Sequence, residues 1–439
     1  MDPAWLSSYS VSMHTVSTLD TDEYWRFLDR FGTASYQQTP EWGAARGRDW
    51  DHEPLGIRDA SGRLVGAALV RYRRLPGLGL RFAFIAQGPL LDWAAADSPK
   101  QLQALVGHLR SSDVFAVRIA PPVTLRRWSA ATVRAGLAAP GITRFTDLRP
   151  DHVSSTATGL VDGLRELGWT EVHDDPEAEG SQPRLNFHLR LDSGSDEAVL
   201  AGMTKTWRKN IRKAARAGVE VRSGSDDDLD EVQLICAETA RRGRFAPQPR
   251  EYFEAMLSTL GTDFPGRFSF DVARHEGTAV AVGGTAQVGR RAQGVFAATS
   301  AQRPHVKPSN ALYWEIIRRA IADGAEVFDI GGVDDVLDEA VPASGLVRFK
   351  ADMGADAHEY VGVWDLPLRP AVYAGFSALL RLRAGLRTGL NDGAVRRHLT
   401  GRGASAPLFP AASRTARRGH HTADTPRQSG AAVSEIVRE

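Results

Sequence analysis

The chain has 439 residues, of which 42% are hydrophobic, and this is enough apolar sequence for two folded domains and a tail. Lys and Arg total 54 against 53 Asp and Glu, which excludes attraction of polyanions through the overall charge and requires local clusters instead. The single cysteine, Cys236, excludes an internal disulfide. Cys and His do not cluster at metal-ligand spacing, so we expect no metal.

The hydropathy pattern indicates a cytoplasmic protein. The N-terminal residues lack the basic segment and apolar core of a signal peptide. No stretch approaches the ~20 apolar residues that cross a bilayer. We therefore expect membrane contact only at the surface, at the inner face of the cell membrane.

Residues 1–150 predict one mixed α/β domain. A strand over 14–18 and a helix opened by Asp20 or Thr21 precede strands over 55–58, 64–72 and 80–85. A helix over 99–109 and a strand over 114–119 follow. Residues 123–150 are rich in Arg, Ala and Pro and only weakly periodic, so we place the domain junction there.

Residues 151–357 predict a second domain of the same kind. Its predicted helices cover 160–167, 196–217, 229–242, 250–260 and 310–321, and its strands cover 185–191, 219–222, 268–274, 279–286, 293–298 and 327–330. Two halves that each combine helices with a mostly antiparallel sheet indicate an α/β (α+β) fold that is duplicated, although no internal sequence repeat is clear.

Residues 368–399 predict a basic amphipathic helix, with six arginines against one acid, Asp392. Val372, Phe376 and Leu379 recur at helical intervals. Such a helix docks on an anionic membrane surface or packs on the protein body, and the sequence leaves both open. Residues 400–439 contain few large apolar residues and predict a disordered tail.

The densest charge cluster lies in residues 205–216, which contain six basic residues and no acid. Met203, Trp207, Ile211 and Ala215 predict a buried stripe. The remaining surface then carries Lys205, Arg208, Lys209, Arg212, Lys213 and Arg216. This surface suits contact with tRNA, and the alternative is an ordinary solvated helix face.

The sequence offers neither a cofactor loop nor a nucleophile. Residues 74–79 match the R-x-x-G-x-G spelling of an acetyl-coenzyme A loop, but a predicted strand follows instead of a helix, so we interpret them as a hairpin turn. Ser300 and Ser344 lack a nucleophile-elbow setting, and Cys236 lies in an apolar helical stretch. What is left suits acyl transfer from an already activated ester.

Several segments between residues 15 and 366 resemble the Fem family, the FemA, FemB and FemX peptidoglycan-bridge transferases that use aminoacyl-tRNA. Their shared order along the chain carries the resemblance. The segments are Tyr36-Gln-Gln-Thr-Pro-Glu-Trp42, Ile85-Ala-Gln-Gly-Pro89, Trp207-Arg-Lys-Asn-Ile-Arg-Lys213, Gly218-Val-Glu-Val221, Thr239-Ala-Arg-Arg-Gly-Arg-Phe245, Pro308-Ser-Asn-Ala-Leu-Tyr-Trp314, Phe328-Asp-Ile-Gly-Gly332, Gly345-Leu-Val-Arg-Phe-Lys350 and Tyr360-Val-Gly-Val-Trp-Asp-Leu366.

The resemblance implies two tandem domains of the acetyltransferase (GNAT) type, in the short FemX form without a coiled-coil arm. The first domain, 1–150, would be completed by a returning strand at 358–367, and 151–357 would form the second. The resemblance also implies that Lys350 stabilises the tetrahedral intermediate, with Phe349 packed beside it. From the residues alone, Lys350 would be an ordinary surface lysine at a turn.

The resemblance further implies residues that bind the acceptor. Thr239, Arg241 and Phe245 would surround the diphosphate and sugar of the precursor, with Arg241 as the diphosphate ligand. Trp42 would line the precursor cleft. From the residues alone, Arg241 is a basic helix C-terminus and Trp42 a core tryptophan.

The implied activity is transfer of an amino acid from aminoacyl-tRNA to the peptide stem of lipid II or UDP-MurNAc-pentapeptide, by a monomer without a cofactor. The sequence departs from the family pattern at two places, Val295-Phe-Ala-Ala298 and Ala120-Pro121. These departures leave the identity of the acceptor undecided. The alternatives are an aminoacyl-tRNA-dependent enzyme of peptide antibiotic biosynthesis, an acetyl-coenzyme A N-acetyltransferase and a non-catalytic RNA-binding protein.

Overall fold

The computed structural model describes residues 14–45, 50–172, 183–243, 247–261 and 268–380. Over these residues the chain forms two mixed, mostly antiparallel sheets that are flanked by helices. The predicted α/β class is therefore confirmed.

The elements follow one another closely along the chain. The strands are β1 (Thr15–Thr18), β2 (Asp51–Arg58), β3 (Leu64–Leu75), β4 (Leu80–Ile85), β5 (Val114–Ile119), β6 (Thr124–Trp128), β7 (His152–Val153), β8 (Thr170–Val172), β9 (Leu185–Arg190), β10 (Val219–Ser223), β11 (Phe268–His275), β12 (Thr278–Val288), β13 (Arg291–Thr299), β14 (Val327–Val333), β15 (Asp356–Tyr360) and β16 (Val363–Pro367). The helices are α1 (Thr21–Phe31), α2 (Pro40–Ala45), α3 (Ser98–Arg110), α4 (Ala130–Ala138), α5 (Ser155–Glu166), α6 (Asp196–Gly202), α7 (Lys205–Arg216), α8 (Leu229–Gly243), α9 (Arg250–Met256), α10 (Pro308–Ala322) and α11 (Ser344–Asp352). Residues 370–380 are also helical.

The first sheet has the strand order β1-β2-β3-β4-β5-β16-β8, and the second has the order β10-β11-β12-β13-β14-β9-β15-β6-β7. Neighbouring strands are antiparallel except β4 with β5 and β13 with β14. The β3–β4 connection is a hairpin in which Leu75 pairs with Leu80, which confirms the predicted turn at residues 74–79. Because a strand follows this turn, it offers no helix N-terminus to a phosphate.

The strands before and after residue 150 are not separated into the first and the second sheet. Strands β6 and β7 pair within the second sheet, whereas β8 pairs with β16 in the first. Of the expected returning strand at 358–367, only β16 lies in the first sheet, and β15 pairs with β6 and β9 in the second. Strand β6 is hard to recognise because its charged Arg126 and Arg127 are paired with Glu359 and Asp356 of β15, so it lacks an apolar run.

Both faces of the first sheet are buried. Leu69 and Phe84 belong to the core on one face, and Val70 and Ile85 belong to the core on the other. The Leu69 core also contains Val288 of the second sheet, among other residues from that half. The two halves therefore share one hydrophobic core.

The helix at 370–380 packs on the first sheet. The ring of Phe376 lies 5.6 Å from that of Phe82 and 5.3 Å from that of Phe115, between ring centroids. The hydroxyl of Tyr373 donates to Asp365 Oδ2 at 2.7 Å. In this part of the predicted amphipathic helix Val372 and Phe376 pack on the protein, whereas Leu379 is exposed. The rest of that helix, 381–399, and the predicted tail, 400–439, lie outside the described residues.

In the part of the chain that the structure describes, no helix combines the length and the apolar character needed to cross a bilayer.

Candidate active site

Lys350 lies in helix α11 with only 5% of its surface exposed. Its ammonium donates to the backbone carbonyl oxygens of Gly331 at 2.8 Å and of Gly332 at 2.9 Å. Lys350 is therefore not the surface lysine at a turn that the residues alone favoured. A lysine ammonium has three N–H donors, and these two carbonyls use two of them.

A bulge in strand β14 presents the two carbonyls. The pairing of β14 with β9 shifts between Asp329 and Gly332. Gly331 has a φ of 80°, a left-handed conformation that favours glycine. The Asp329 carboxylate accepts the backbone N–H of Gly331 at 2.9 Å. The bulge thus aims consecutive carbonyls at one point, as such irregularities do beside functional sites. We call Gly331 and Gly332 the carbonyl seat.

Burial lowers the pKa of Lys350 to about 8, and the negative charge of Asp329 opposes this shift. A group with that pKa is about nine-tenths protonated at pH 7. Lys350 is consequently a desolvated cation at neutral pH. In a site with little water, such a cation stabilises a developing oxyanion more strongly than an exposed lysine would.

Phe349 joins the Lys350 helix to the basic helix. Its ring lies 5.1 Å from that of Trp207 and 5.5 Å from that of Tyr313, between centroids. The Trp207 indole N–H donates to the Phe349 carbonyl at 3.1 Å, and the backbone N–H of Thr204 donates to the Asp352 carbonyl at 2.9 Å. The start of α7 is thus fixed directly against α11.

The expected single helix over 196–217 is two helices in the structure. Thr204 caps α7, since its side-chain oxygen accepts the backbone N–H of Trp207 at 3.3 Å. The buried positions of α7 are Trp207 and Ala214, so the prediction that Ala215 is buried was wrong. A step of seven residues keeps two side chains on one helix face better than a step of eight.

Five of the six basic residues predicted to form the tRNA-binding surface are exposed on α7. Arg208 is not, because its guanidinium donates to the carbonyls of Ala201 at 3.0 Å and Met203 at 2.7 Å and so caps helix α6. The exposed basic residues, for which the described structure records no ion pair, are Lys205, Lys209, Arg212, Lys213 and Arg216. We call these five the basic face.

Thr239 and Arg241 lie near the end of helix α8. The Thr239 hydroxyl donates to the Thr299 carbonyl at 3.2 Å and accepts the Thr299 N–H at 3.1 Å, so it ties α8 to the end of β13. Arg242 donates to Glu238 Oε1 at 3.0 Å, while Arg241 is exposed. Of the two arginines, Arg241 is thus the one left available to an anion. Phe245 lies outside the described residues.

Trp42 is buried, with 4% of its surface exposed. The guanidinium carbon of Arg71 lies 4.7 Å from the centroid of the Trp42 ring and 4.5 Å from that of Trp50, so the arginine is stacked between two indoles. The ring of Tyr36 meets Trp42 edge-on at 6.3 Å. Trp42 is therefore part of a packed cluster here, and its role in the precursor cleft stays a prediction.

The sequence interpretation missed a buried polar network at the junction of the two halves. Arg291 donates to Asp329 Oδ2 at 2.6 Å, and the Gln293 amide donates to the same oxygen at 3.1 Å. Arg291 also donates to the Thr33 carbonyl at 3.3 Å, and Gln293 accepts the Tyr36 N–H at 3.3 Å. The acid within the apolar run Val327–Val333 was the available signal, because a buried carboxylate needs partners.

Within the described ranges, no group of three or more His, Cys, Asp and Glu side chains is placed to hold a metal ion.

Comparisons with known proteins agree on the family. The model of the FemAB family matches residues 19–276 and 270–381. The aminoacyltransferase FemA of Staphylococcus aureus is 33% identical over 79 residues, which is 18% of this chain and 19% of FemA, so the match spans about a fifth of that relative's length. A crystal structure of FemX shares the fold, with a TM-score of 0.67 at 16% identity over 82% of this chain and 98% of FemX. Since the family model covers most of the chain, the protein belongs to the FemAB family.

Proposed function

We propose that the protein transfers an aminoacyl group from aminoacyl-tRNA to an amine on the peptide stem of a peptidoglycan precursor. Membership of the FemAB family and the similarity to the aminoacyltransferase FemA support the reaction class. The observation that carries the proposal is the buried ammonium of Lys350, which the carbonyl seat holds with two of its N–H donors. The third donor is available to a substrate oxygen.

In this reaction the acceptor amine attacks the carbonyl carbon of the aminoacyl ester. A C–N bond forms while the carbonyl electron pair moves onto oxygen, where the Lys350 cation counters the charge. The tetrahedral intermediate then collapses, the C–O bond to the ribose breaks, and the ribose oxygen leaves and takes up a proton. The amine loses one proton, so the products are an amide and a free ribose hydroxyl. No ATP is needed because the ester is already activated.

The basic face supports tRNA as the donor. The basic face lies on helix α7. In the first turn of this helix, Trp207 packs against Phe349, which directly precedes Lys350. Phosphates that bind along the basic face would thus lie on a helix attached to the reaction centre. Neutralising RNA phosphates with several exposed cations gives binding that weakens as salt rises.

Arg241 supports an acceptor with a diphosphate, as in a lipid-linked or nucleotide-linked precursor. It is exposed at the end of α8, and a guanidinium binds phosphate oxygens in a two-pronged geometry. A lipid-linked acceptor would bring the protein to a membrane surface, and the arginines of residues 381–399 are our proposed contact there.

The test is transfer by the purified protein. It is incubated with tRNA that carries a mixture of labelled amino acids and with lipid II or UDP-MurNAc-pentapeptide, and mass spectrometry identifies the product. We expect Lys350→Met to reduce turnover ~100-fold to 1,000-fold, the size of losing one oxyanion donor, with precursor affinity nearly unchanged. Lys100→Met, the same change at an exposed position of α3, is the control and should retain activity.

Two outcomes would contradict the proposal. One is ordinary turnover by Lys350→Met. The other is acetyl transfer from labelled acetyl-coenzyme A, supplied in a parallel reaction, with no aminoacyl transfer by the same protein.

A further inference from the structure

Asp329 touches the carbonyl seat directly and, through Arg291 and Gln293, is linked to the first half of the protein. Its Oδ1 accepts the Gly331 N–H, and its Oδ2 accepts from Arg291 and Gln293. These two partners bind backbone groups of Thr33 and Tyr36 in the loop between α1 and α2. One carboxylate thus connects the seat of Lys350 with the segment that carries Tyr36, which in turn packs on Trp42.

We propose that Asp329 is a positioning residue for Lys350, holding the Gly331–Gly332 carbonyls where they grip the ammonium and fixing them to the 33–36 segment. The inference rests on the proposed function, since it assigns Asp329 a part in the same transfer reaction. Asp329 does not touch the reacting atoms. It acts through the backbone of β14 and through its negative charge.

The surroundings of Asp329 keep it ionised. Burial alone would raise its pKa, but His188, Arg291 and the Gly331 N–H outweigh burial and hold the pKa well below its usual range. Burial lowers the pKa of His188 to about 3, so this histidine is neutral at pH 7 and Arg291 supplies the countercharge. Both side chains of the Arg291–Asp329 ion pair are buried, so dissolved salt screens their attraction only weakly.

Tyr360 and His358, which also contact this network, keep their protonation state between pH 6 and 8. Burial raises the pKa of Tyr360, whose hydroxyl contacts both Arg291 and His188. Burial lowers the pKa of His358, which stacks on His188, to about 4.

The elements packed against Lys350 contribute few charges. Helix α4 presents Arg134, which donates to the Ala351 carbonyl, and α11 itself carries Arg348, paired with Glu339, and Asp352. Of the described charged groups, Asp329 is the one whose charge acts on the pKa of Lys350.

Asp329→Asn tests both effects, because it keeps the shape of the side chain and removes its charge. We expect the pKa of Lys350 to fall and the alkaline limb of the turnover profile to move to lower pH by the same amount. At a pH well above the pKa of Lys350, lowering this pKa by one reduces the fraction of Lys350 that is charged about tenfold. The pKa is measured by NMR of protein labelled in its lysine side chains. The chain has six lysines, and the Lys350 signal is the one that Lys350→Met removes.

Asp271→Asn is the matched control. Asp271 is equally buried in the second half and binds Arg319 at 2.6 Å, so this variant loses a comparable ion pair away from the carbonyl seat. It should lower the stability without moving the Lys350 signal. Asp329→Glu keeps the charge but lengthens the side chain. It should change the pKa of Lys350 less than Asp329→Asn does.

A folded Asp329→Asn protein with an unchanged pKa of Lys350 would overturn the proposal. If that variant does not fold, Gly331→Ala tests the seat from the backbone. Its Cβ meets open space, but the left-handed φ is strained for alanine, so the Lys350 signal should shift, and an unchanged signal would also overturn the proposal. Because the titration needs no substrate, the two failures are distinguishable: absence of aminoacyl transfer by the wild type counts against the proposed function, whereas an unchanged Lys350 signal counts against the role of Asp329.

Discussion

At the scale of single residues, the buried ammonium of Lys350 has a cost in stability. Its pKa falls from 10.5 to about 8 because the folded protein removes water from the charge. The two seat carbonyls replace part of that hydration. A cation that is less well solvated than in water interacts more strongly with a nearby oxyanion, so the same burial that destabilises the fold favours the proposed chemistry.

The stability of the protein should therefore depend on pH through Lys350. Between pH 8 and 10.5 the unfolded chain binds the lysine proton and the folded protein has largely lost it. Unfolding then takes up a proton, so this group makes the free energy of unfolding rise with pH through that window. A pKa difference of one corresponds to about 1.4 kcal/mol, so the free energy of unfolding should rise by roughly 3 kcal/mol across this window.

Urea unfolding of wild type and Lys350→Met at a series of pH values measures this contribution, with Lys100→Met as the control. We expect the rise to be missing in Lys350→Met and present in Lys100→Met. Identical pH dependence in wild type and Lys350→Met would show that the lysine is not buried as a titrating group.

At the scale of elements, helix α7 combines a structural end with an exposed basic face. Trp207 anchors it to α11, and Arg208 caps the preceding helix α6. Lys205, Lys209 and Lys213 follow one another at four-residue steps, so they line one side of the helix. Like charges at this spacing repel by a few tenths of a kcal/mol, and bound phosphates would remove that repulsion.

This division predicts different effects for neighbouring basic residues. Lys209→Gln should weaken tRNA binding and reduce the slope of log affinity against log salt by about one, with little change in Tm, because Gln forms helix nearly as well as Lys. Arg208→Gln should lower Tm, because it leaves the carbonyls at the end of α6 without their donor. Filter binding across a salt series and thermal unfolding measure the two effects. Equal salt slopes for Lys209→Gln and wild type would rule out a phosphate contact at this position.

At the scale of the whole molecule, the last described strand holds the first half together. Strand β16 lies between β5 and β8 in the first sheet, and it contributes the fully buried Trp364 to a core. The helix at 370–380 then covers Phe82 and Phe115 of the same sheet. The first sheet is therefore completed by a strand that follows the whole second half in the chain.

A chain that ends at residue 361 should consequently fail to fold cooperatively, because β5 loses a neighbour and β8 loses its partner. Adding a peptide of residues 362–380 in trans should restore a cooperative transition. A chain that ends at residue 400 keeps every described element and is the control, with an expected Tm close to that of the full chain. Circular dichroism during heating provides the measurement. A cooperative transition of the 361-residue chain without the peptide would contradict this interpretation of the topology.

Local signals in the sequence were sufficient for much of the fold. The apolar runs of β3 and β4, the turn between them and the extent of α8 follow from side-chain periodicity and from glycine and proline. The resemblance to a family singled out Lys350, whose surroundings no local pattern predicts.

Tertiary structure alone decided which distant groups meet. Arg126 and Glu359 are 233 residues apart in the chain, and their pairing assigns β6 to the second sheet. The same holds for Asp329, whose partner Arg291 lies 38 residues away in β13. The sequence by itself determined the position of elements such as β3, β4 and α8, because the preferences that form them are local. Burial of Lys350, its lowered pKa and its carbonyl seat depend on how the elements pack, because desolvation and hydrogen bonding act between groups that only the folded chain brings together.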